Sequence, residues 1–119
     1  MPTAIYARKS TESEDRQVQS LDDQMAVMRA VAEREKLDVV EVFIESKSAK
    51  EPGTRPEFQK LMEGIKNGSI DSILTWHINR LSRNMVDGGA LAHSLHSGKL
   101  KFIRTADRFY TPEDNVLLL

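Results

Sequence analysis

Residues 3–11 have the sequence Thr-Ala-Ile-Tyr-Ala-Arg-Lys-Ser-Thr, and they contain the strongest local indication of the fold. The apolar part, residues 3–7, predicts a short buried strand. The abrupt change to charged and polar side chains predicts that this strand runs directly into a loop, which continues without helical periodicity through residues 11–19. We therefore expect Arg8 and Ser10 to lie at the carboxyl end of the first strand.

Strand and helix patterns alternate along the rest of the chain. Three further strands are predicted from apolar and β-branched segments, at residues 38–44, 70–76 and 101–104. Three helices are predicted from capping residues and apolar periodicity: one opened by Ser20, one from Pro56 to Asn67-Gly68, and one from about Asn84 to Gly98. The alternation predicts an α/β fold of three layers, with a mostly parallel central sheet flanked by helices.

The composition is that of one globular domain. The chain has 119 residues, of which 39% are hydrophobic and 29% charged, which suits a single core. We expect a cytoplasmic protein with no membrane partner, because no apolar run approaches the roughly 20 residues that span a bilayer and the start lacks a signal-peptide pattern. The absence of cysteine excludes disulfides, zinc–thiolate sites and a thiol nucleophile.

The charge balance does not indicate nucleic acid. Lys and Arg number 17 against 18 Asp and Glu, for a formal net charge of -1. A free-standing DNA-binding module is usually strongly basic, because counterion release by Lys and Arg supplies most of its affinity. If this domain acts on DNA, another part of the protein is expected to supply most of the binding affinity.

The last residues, 111–119, have the pattern of a helix start followed by one apolar turn. A helix of one turn is marginal by itself. We therefore interpret residues 1–119 as one domain that is truncated at the start of a longer helix, at about 112–119.

Four arginines and one serine are predicted to meet at one edge of the sheet. Arg8 and Ser10 follow the first strand, Arg55 follows the second, and Arg80 and Arg83 follow the third. In open α/β sheets ligands collect outside the carboxyl ends of the strands. The arginine fork matches phosphate oxygens, and clustered arginines repel one another unless an anion lies between them. The pattern predicts a phosphate or phosphodiester as ligand, with the serine placed to attack it.

The predicted chemistry does not need a metal. Fixed positive donors stabilise the charge that develops on the phosphate oxygens, and a single arginine can be worth roughly 10³–10⁵ in rate. His93 and His96 are three residues apart, but without a third ligand we interpret them as a solvated helix face.

The motifs together resemble a known family. Tyr6-x-Arg8-x-Ser10-Thr, Ser20-Leu-Asp-x-Gln24, Arg55-Pro and Arg80-Leu-x-Arg83 occur in this order. Each motif is weak alone, but the ordered set is similar to the catalytic domain of the serine recombinases, which comprise resolvases, invertases and large serine integrases. The resemblance runs from residue 3 to about 115, and it implies a resolvase-like catalytic domain.

The resemblance implies a role for each matched residue. Ser10 matches the nucleophile that forms a 5′-phosphoserine linkage to DNA, and the phosphate-binding residues matched are Arg8, Arg55, Arg80 and Arg83. Gln19 and Gln24 match polar residues that support the site, and the loop before them is longer than in small resolvases. Asn79 departs from the pattern, because an aspartate is usual there. An amide can orient Arg80 but cannot act as a general acid or base.

The family also implies partners and a reaction. The partner is a double-stranded DNA recombination site, cut and rejoined during integration, resolution or inversion of a mobile element. The full-length protein is expected to form a dimer that becomes a tetramer, paired through a long helix. No metal, nucleotide or other small-molecule cofactor is implied. We expect the isolated fragment to be inactive or weakly active.

Two other functions fit the same residues. One is a metal-independent phosphodiesterase that releases its product into water. The other is a phosphate- or DNA-docking module in which Ser10 is only a ligand contact. An isolated Ser-Thr pair is usually a turn or cap, and Lys9-Ser10-Thr11 lacks the glycines of a nucleotide-binding loop.

Overall fold

The computed structural model describes residues 2–8, 21–45, 55–77, 81, 85–106 and 108–112. Its strands are β1 Pro2–Arg8, β2 Asp38–Glu45, β3 Ser72–Thr75, β4 Phe102–Arg104 and β5 Phe109–Tyr110. Its long helices are α1 Leu21–Arg34, α2 Pro56–Asn67 and α3 Met85–His96. Within these described parts, no helix has the length and apolar character needed to cross a membrane.

The strands form one mostly parallel sheet, as the alternating pattern predicts. The strand order is β2-β1-β3-β4-β5, and β1 pairs in parallel with both β2 and β3. β4 continues the parallel part beside β3, whereas β5 is antiparallel to β4 through the pair Ile103 and Tyr110. The sequence analysis did not predict β5, because a two-residue strand shows no alternation and forms only by pairing with a neighbour.

Alternate residues of β1 enter two separate cores, which gives the three predicted layers. Ala4 and Tyr6 pack with residues of α2 and α3 on one face, and Ile5 and Ala7 pack with α1 on the other. Successive side chains of a strand point to opposite faces, so a central strand must be apolar on both. All four of these side chains are fully buried. The structure confirms the α/β class and the layered arrangement.

The helices contribute the outer side of each core. The α2–α3 face is filled from the helices by Phe58, Leu61, Ile65, Leu91 and Leu95, and the α1 face by Met28, Val31 and Ala32. Met25 and Met62 are partly buried and pack against these cores. Met25, Met28 and Met62 therefore act as core filling.

The predicted limits of α2 are confirmed. Pro56 occupies the first turn, where its missing N–H costs nothing, and Gly68 ends the helix with a φ of 88°. This left-handed conformation favours glycine, and the Gly68 N–H donates to the carbonyl of Ile65. The third strand is shorter than the predicted 70–76, because the Ile70 N–H donates to the Gly64 carbonyl of the preceding helix. The predicted N-cap Ser20, the loop 11–19 and the tail 113–119 lie outside the described residues.

Candidate active site

Strands β1 and β2 end side by side at the edge predicted to hold the site. Arg8 is the last residue of β1 and is paired in register with Glu45, the last residue of β2. Both are almost completely buried, at 0% and 2% exposure. By strand alternation Arg8 shares the face of Tyr6, and Glu45 shares that of Phe43. Tyr6 and Phe43 both belong to the core under α2 and α3. Arg8 and Glu45 therefore lie on the face of the sheet that these two helices cover.

Arg55 is positioned by the start of α2. It occupies the N-cap position with an extended backbone, φ -115° and ψ 97°, and its side chain is only 1% exposed. One terminal nitrogen, NH1, donates to the Tyr6 hydroxyl at 3.2 Å. The guanidinium carbon lies 3.9 Å from the centre of the Phe58 ring, within cation–π range. The guanidinium is thus held between a strand and its own helix.

Asp87 completes the surroundings of Arg55. It lies in the first turn of α3, and its Oδ2 atom accepts a hydrogen bond of 2.8 Å from the second terminal nitrogen of Arg55. The Asp87 side chain is 8% exposed, so the ion pair is shielded from water. A carboxylate at this end of a helix also interacts favourably with the helix dipole. The pair joins the starts of α2 and α3.

Glu45 fixes the start of α2 from the sheet. Its carboxylate accepts hydrogen bonds from the backbone N–H groups of Glu57 and Phe58, at 2.9 and 3.1 Å. The first N–H groups of a helix have no partner within the helix, so this contact satisfies two of them. Because Arg55 immediately precedes the helix, the same contact fixes the backbone that carries its guanidinium.

Tyr6 lies at the centre of these charged groups. Its ring meets that of Phe58 edge to face, with centroids 6.0 Å apart. Burial raises the pKa of the Tyr6 phenol well above its ordinary value, and the nearby positive charge of Arg55 lowers it only in part. Glu45 and Arg8 also lie close enough to affect this pKa. The phenol therefore stays neutral near pH 7 and accepts the hydrogen bond from Arg55.

Gln24 is buried at 1% exposure, but it lies on α1. That helix packs against the opposite face of the sheet from α2 and α3. Because α1 ends next to the amino end of β2, its first turn lies towards the edge that carries Arg8. The structure thus places this predicted supporting residue on the opposite face from Arg55, and the supporting role stays a prediction.

The remaining predicted site residues lie outside the described part of the chain: Ser10, Gln19, Asn79, Arg80 and Arg83. Leu81, which stands between two of them in the sequence, is fully buried in the core under α2 and α3.

Sequence reasoning missed two acidic residues of the site. Glu45 lies one residue beyond the predicted second strand, 38–44, and neither it nor Asp87 belongs to a motif. Glu45 could have been found from its place at the end of an apolar strand. It is two residues after Phe43, so its side chain points to the same face of the sheet. For Asp87 the sequence gives only an acidic residue near a helix start, which is usually solvated. His93 and His96 are exposed, and no group of three potential metal ligands occurs among the described residues.

Comparison with known proteins identifies the family. The family model described as the resolvase N-terminal domain matches residues 3–119. The N-terminal catalytic domain of TP901-1 integrase is 26% identical, with a TM-score of 0.74 over 90% of this chain and 79% of that one. A resolvase family site-specific recombinase from Streptococcus pneumoniae is 23% identical, with a TM-score of 0.74 over 99% and 80%.

A third solved structure has the same fold. The C-terminal catalytic domain of ISC1926 TnpA, an IS607-like serine recombinase, is 23% identical, with a TM-score of 0.70 over 97% of this chain and 71% of that one. The family model covers nearly the whole sequence, including all the motifs that suggested the resemblance. The chain therefore belongs to the resolvase N-terminal domain family, and its fold is that of a serine recombinase catalytic domain.

Proposed function

We propose that this domain cuts and rejoins DNA strands through a covalent bond between Ser10 and a 5′-phosphate. The observation that carries the proposal is the gathering of Arg8, Arg55 and Tyr6 at the carboxyl end of β1. Arg8 ends that strand, and Arg55 arrives from a separate element to bond with Tyr6. Two side chains of the type that binds phosphate, Arg8 and Arg55, thus lie at the carboxyl end of β1. The sequence continues from this end to Ser10.

Covalent geometry limits how far Ser10 can be from this cluster. Two residues along a chain can separate their Cα atoms by at most about 7 Å. Ser10 is two residues beyond Arg8, so its backbone lies within that distance of the end of β1. A serine side chain adds further reach, which supports its assignment as the group that attacks a phosphate bound here.

The proposed step balances without a cofactor. The Ser10 Oγ attacks the phosphorus, and the bond from phosphorus to the 3′ oxygen of the neighbouring nucleotide breaks. The serine proton ends on that oxygen, giving a free 3′ hydroxyl and a 5′-phosphoserine. Attack by a 3′ hydroxyl on the phosphoserine reverses the step and rejoins the strand. Arginines that bind the non-bridging oxygens stabilise the charge of the transition state.

The other assignments follow the motif. Arg80 and Arg83 are proposed as further phosphate-binding residues, with Gln19, Gln24 and Asn79 in supporting positions. The proton acceptor for Ser10 is not assigned, because Asn79 stands where an aspartate is usual. The proposed partner is a double-stranded recombination site, bound by a dimer that becomes a tetramer of the full-length cytoplasmic protein.

The burial of the two described arginines sets a condition on DNA binding. Arg8 and Arg55 expose 0% and 1% of their surface. A phosphate can contact them only if the groups that cover them give way at this edge. We therefore propose that the structure with both arginines buried is the state before DNA binds. Strand cutting follows once this edge of the sheet has opened.

A protein–DNA adduct assay tests the proposal. The intact protein is incubated with labelled duplex DNA from both sides of its own gene, and products are separated under denaturing conditions. A covalent adduct is expected with the wild-type protein and with Ser13→Ala, a serine three residues further on. The adduct is expected to disappear in Ser10→Ala and to persist when a chelator is added.

Other outcomes select the alternative functions. DNA binding that is unchanged in Ser10→Ala, with no cutting by the wild-type protein, would indicate a docking module. Repeated turnover of a phosphate ester with no covalent intermediate would indicate a phosphodiesterase. An adduct that survives Ser10→Ala would reject the serine as nucleophile.

A further inference from the structure

We infer that Asp87 is a positioning residue for strand cutting, because it fixes the direction of the Arg55 guanidinium and balances its charge. The inference rests on the proposed function, in which Arg55 binds the phosphate that is attacked. Asp87 lies outside the motifs that identified the site. It belongs to α3, whereas Arg8 ends β1 and Arg55 precedes α2.

Asp87 contacts the Arg55 guanidinium in a different way from Tyr6 and Phe58. The Tyr6 hydroxyl and the Phe58 ring hold the guanidinium from the sheet and from α2. Neither of these groups carries a charge. Asp87 supplies the charged contact, at 2.8 Å, with only 8% of its own side chain exposed. Two bonds to different terminal nitrogens fix the plane of the guanidinium as well as its position.

The charge of Asp87 matters because Arg55 is buried. An arginine is always protonated, and a buried charge without a partner is strongly unfavourable. The carboxylate lets the cation remain at the end of the sheet, where a phosphate can later bind it. A guanidinium has five N–H donors, so these two bonds do not by themselves exhaust it. Asp87 is thus suited to hold the arginine without replacing the phosphate.

The contact also links two parts of the proposed site. Asp87 lies four residues after Arg83 in the sequence and in the first turn of α3, whereas Arg55 immediately precedes α2. The ion pair therefore fixes the residue before α2 relative to the first turn of α3. A misplacement of about 1 Å at a catalytic group can cost about 100-fold in rate.

The test uses the intact protein and the adduct assay described above, with Asp87→Asn. Asparagine keeps the shape and an oxygen acceptor but removes the charge. The single-turnover rate at saturating DNA is expected to fall roughly 10- to 100-fold, whereas the DNA affinity stays within about twofold of wild type. Asp87→Glu, which restores the charge, is expected to recover part of the rate. Glu63→Gln, which removes an exposed acidic residue of α2, is the matched control.

A second measurement reports on Arg55 directly. The Nε–Hε resonance of Arg55, assigned by its loss in Arg55→Lys, is expected to shift in Asp87→Asn and to stay in place in Glu63→Gln. Circular dichroism at the assay temperature gives the folded fraction of each variant, so that rates are compared per folded molecule. A merely structural role would lower the folded fraction and leave the corrected rate unchanged.

The outcomes separate this inference from the proposed function. An unchanged or faster corrected rate in Asp87→Asn would overturn it, and a faster rate would make Asp87 a competitor of the phosphate. A rate loss with an unmoved Arg55 resonance would also overturn it. If the wild-type protein forms no adduct, the proposed function fails, and the resonance still shows whether Asp87 fixes Arg55.

Discussion

Tyr6 shows how a single side chain can hold a charged site together while itself remaining neutral. Its hydroxyl accepts a hydrogen bond from Arg55, and its ring packs against Phe58. Burial raises the pKa of the phenol above its ordinary value of 10.0, so the phenol stays neutral even at pH values where a free tyrosine ionises. Tyr6 thus contributes a fixed neutral acceptor beside the buried guanidinium.

Tyr6→Phe tests this role at the residue scale. The ring is kept, but the buried Arg55 loses an acceptor, so the free energy of unfolding is expected to fall by about 1–2 kcal/mol at pH 7. Because the folded pKa of Tyr6 lies above the unfolded value of 10.0, wild-type stability is expected to fall as pH rises past 10. Urea unfolding should show a smaller loss over that range in Tyr6→Phe. Equal losses in both proteins would contradict the assignment.

At this scale the sequence predicted residue types better than contacts. Arg8 and Arg55 were expected at one edge, and the structure describes both beside Tyr6. Their complete burial was not expected, because a cluster of arginines predicts a phosphate-binding site that is open to its ligand. The partner Asp87 was out of reach too, since an acidic residue in the first turn of a helix usually faces water.

Among the elements, α2 depends most clearly on a contact from elsewhere in the chain. Its N-cap is Arg55, whose side chain makes no capping bond. Glu45 at the end of β2 supplies the missing acceptor for two backbone N–H groups. The helix start is therefore stabilised by the end of the preceding strand, from outside the helix itself.

Glu45→Ala tests this contact. Removing a side chain that accepts helix N-terminal N–H groups typically costs about 1–2 kcal/mol, and a loss of this size is expected in urea unfolding. Glu41→Ala, on an exposed position of the same strand, is expected to change stability by less than about 0.5 kcal/mol. Equal effects of the two substitutions would show that Glu45 does not support the helix.

The elements were predictable where a local signal was strong. Pro56 and Gly68 marked both ends of α2, and the apolar run at residues 3–7 marked β1. β5 was missed because two residues that pair with β4 leave no local pattern. The third strand was predicted too long, because Ile70 bonds back to the preceding helix.

For the molecule as a whole, Arg104 links the end of α1 to the β4–β5 edge of the sheet. Its guanidinium donates through Nε and NH2 to both carboxylate oxygens of Glu35, at 2.7–3.1 Å, and through NH1 to the carbonyls of Thr105 and Arg108. The hydrogen bonds from Arg104 hold the pKa of Glu35 below its usual 4.5. One arginine thus connects the end of a helix with the β4–β5 turn.

This contact predicts a pH dependence of stability. A carboxylate with a lowered folded pKa stabilises the protein above pH 4.5, and the contribution is lost as pH falls through the folded pKa. Glu35→Gln is therefore expected to lower the urea midpoint at pH 7 and to match wild type increasingly as the pH falls below 4.5. Glu33→Gln, on an exposed position of the same helix, is the control. A Glu35 effect that is constant with pH would contradict this account.

The fold class and the family could be predicted from the sequence. The alternation of strands and helices and the order of the motifs can both be recognised without knowing any side-chain contact. The family match over residues 3–119 confirms that recognition. The balance of 17 basic and 18 acidic residues gave no hint of DNA, since the net charge of a domain averages over a site built from a few arginines.

The central claim is that Ser10 becomes covalently joined to DNA. The most direct measurement is mass spectrometry of the protein–DNA adduct after nuclease and protease digestion. The predicted result is a nucleotide joined through its 5′-phosphate to the Ser10 Oγ, with a free 3′ hydroxyl on the other DNA end. A nucleotide on Thr11 or Ser13, a linkage through a 3′-phosphate, or cut DNA with no attached peptide would contradict the account.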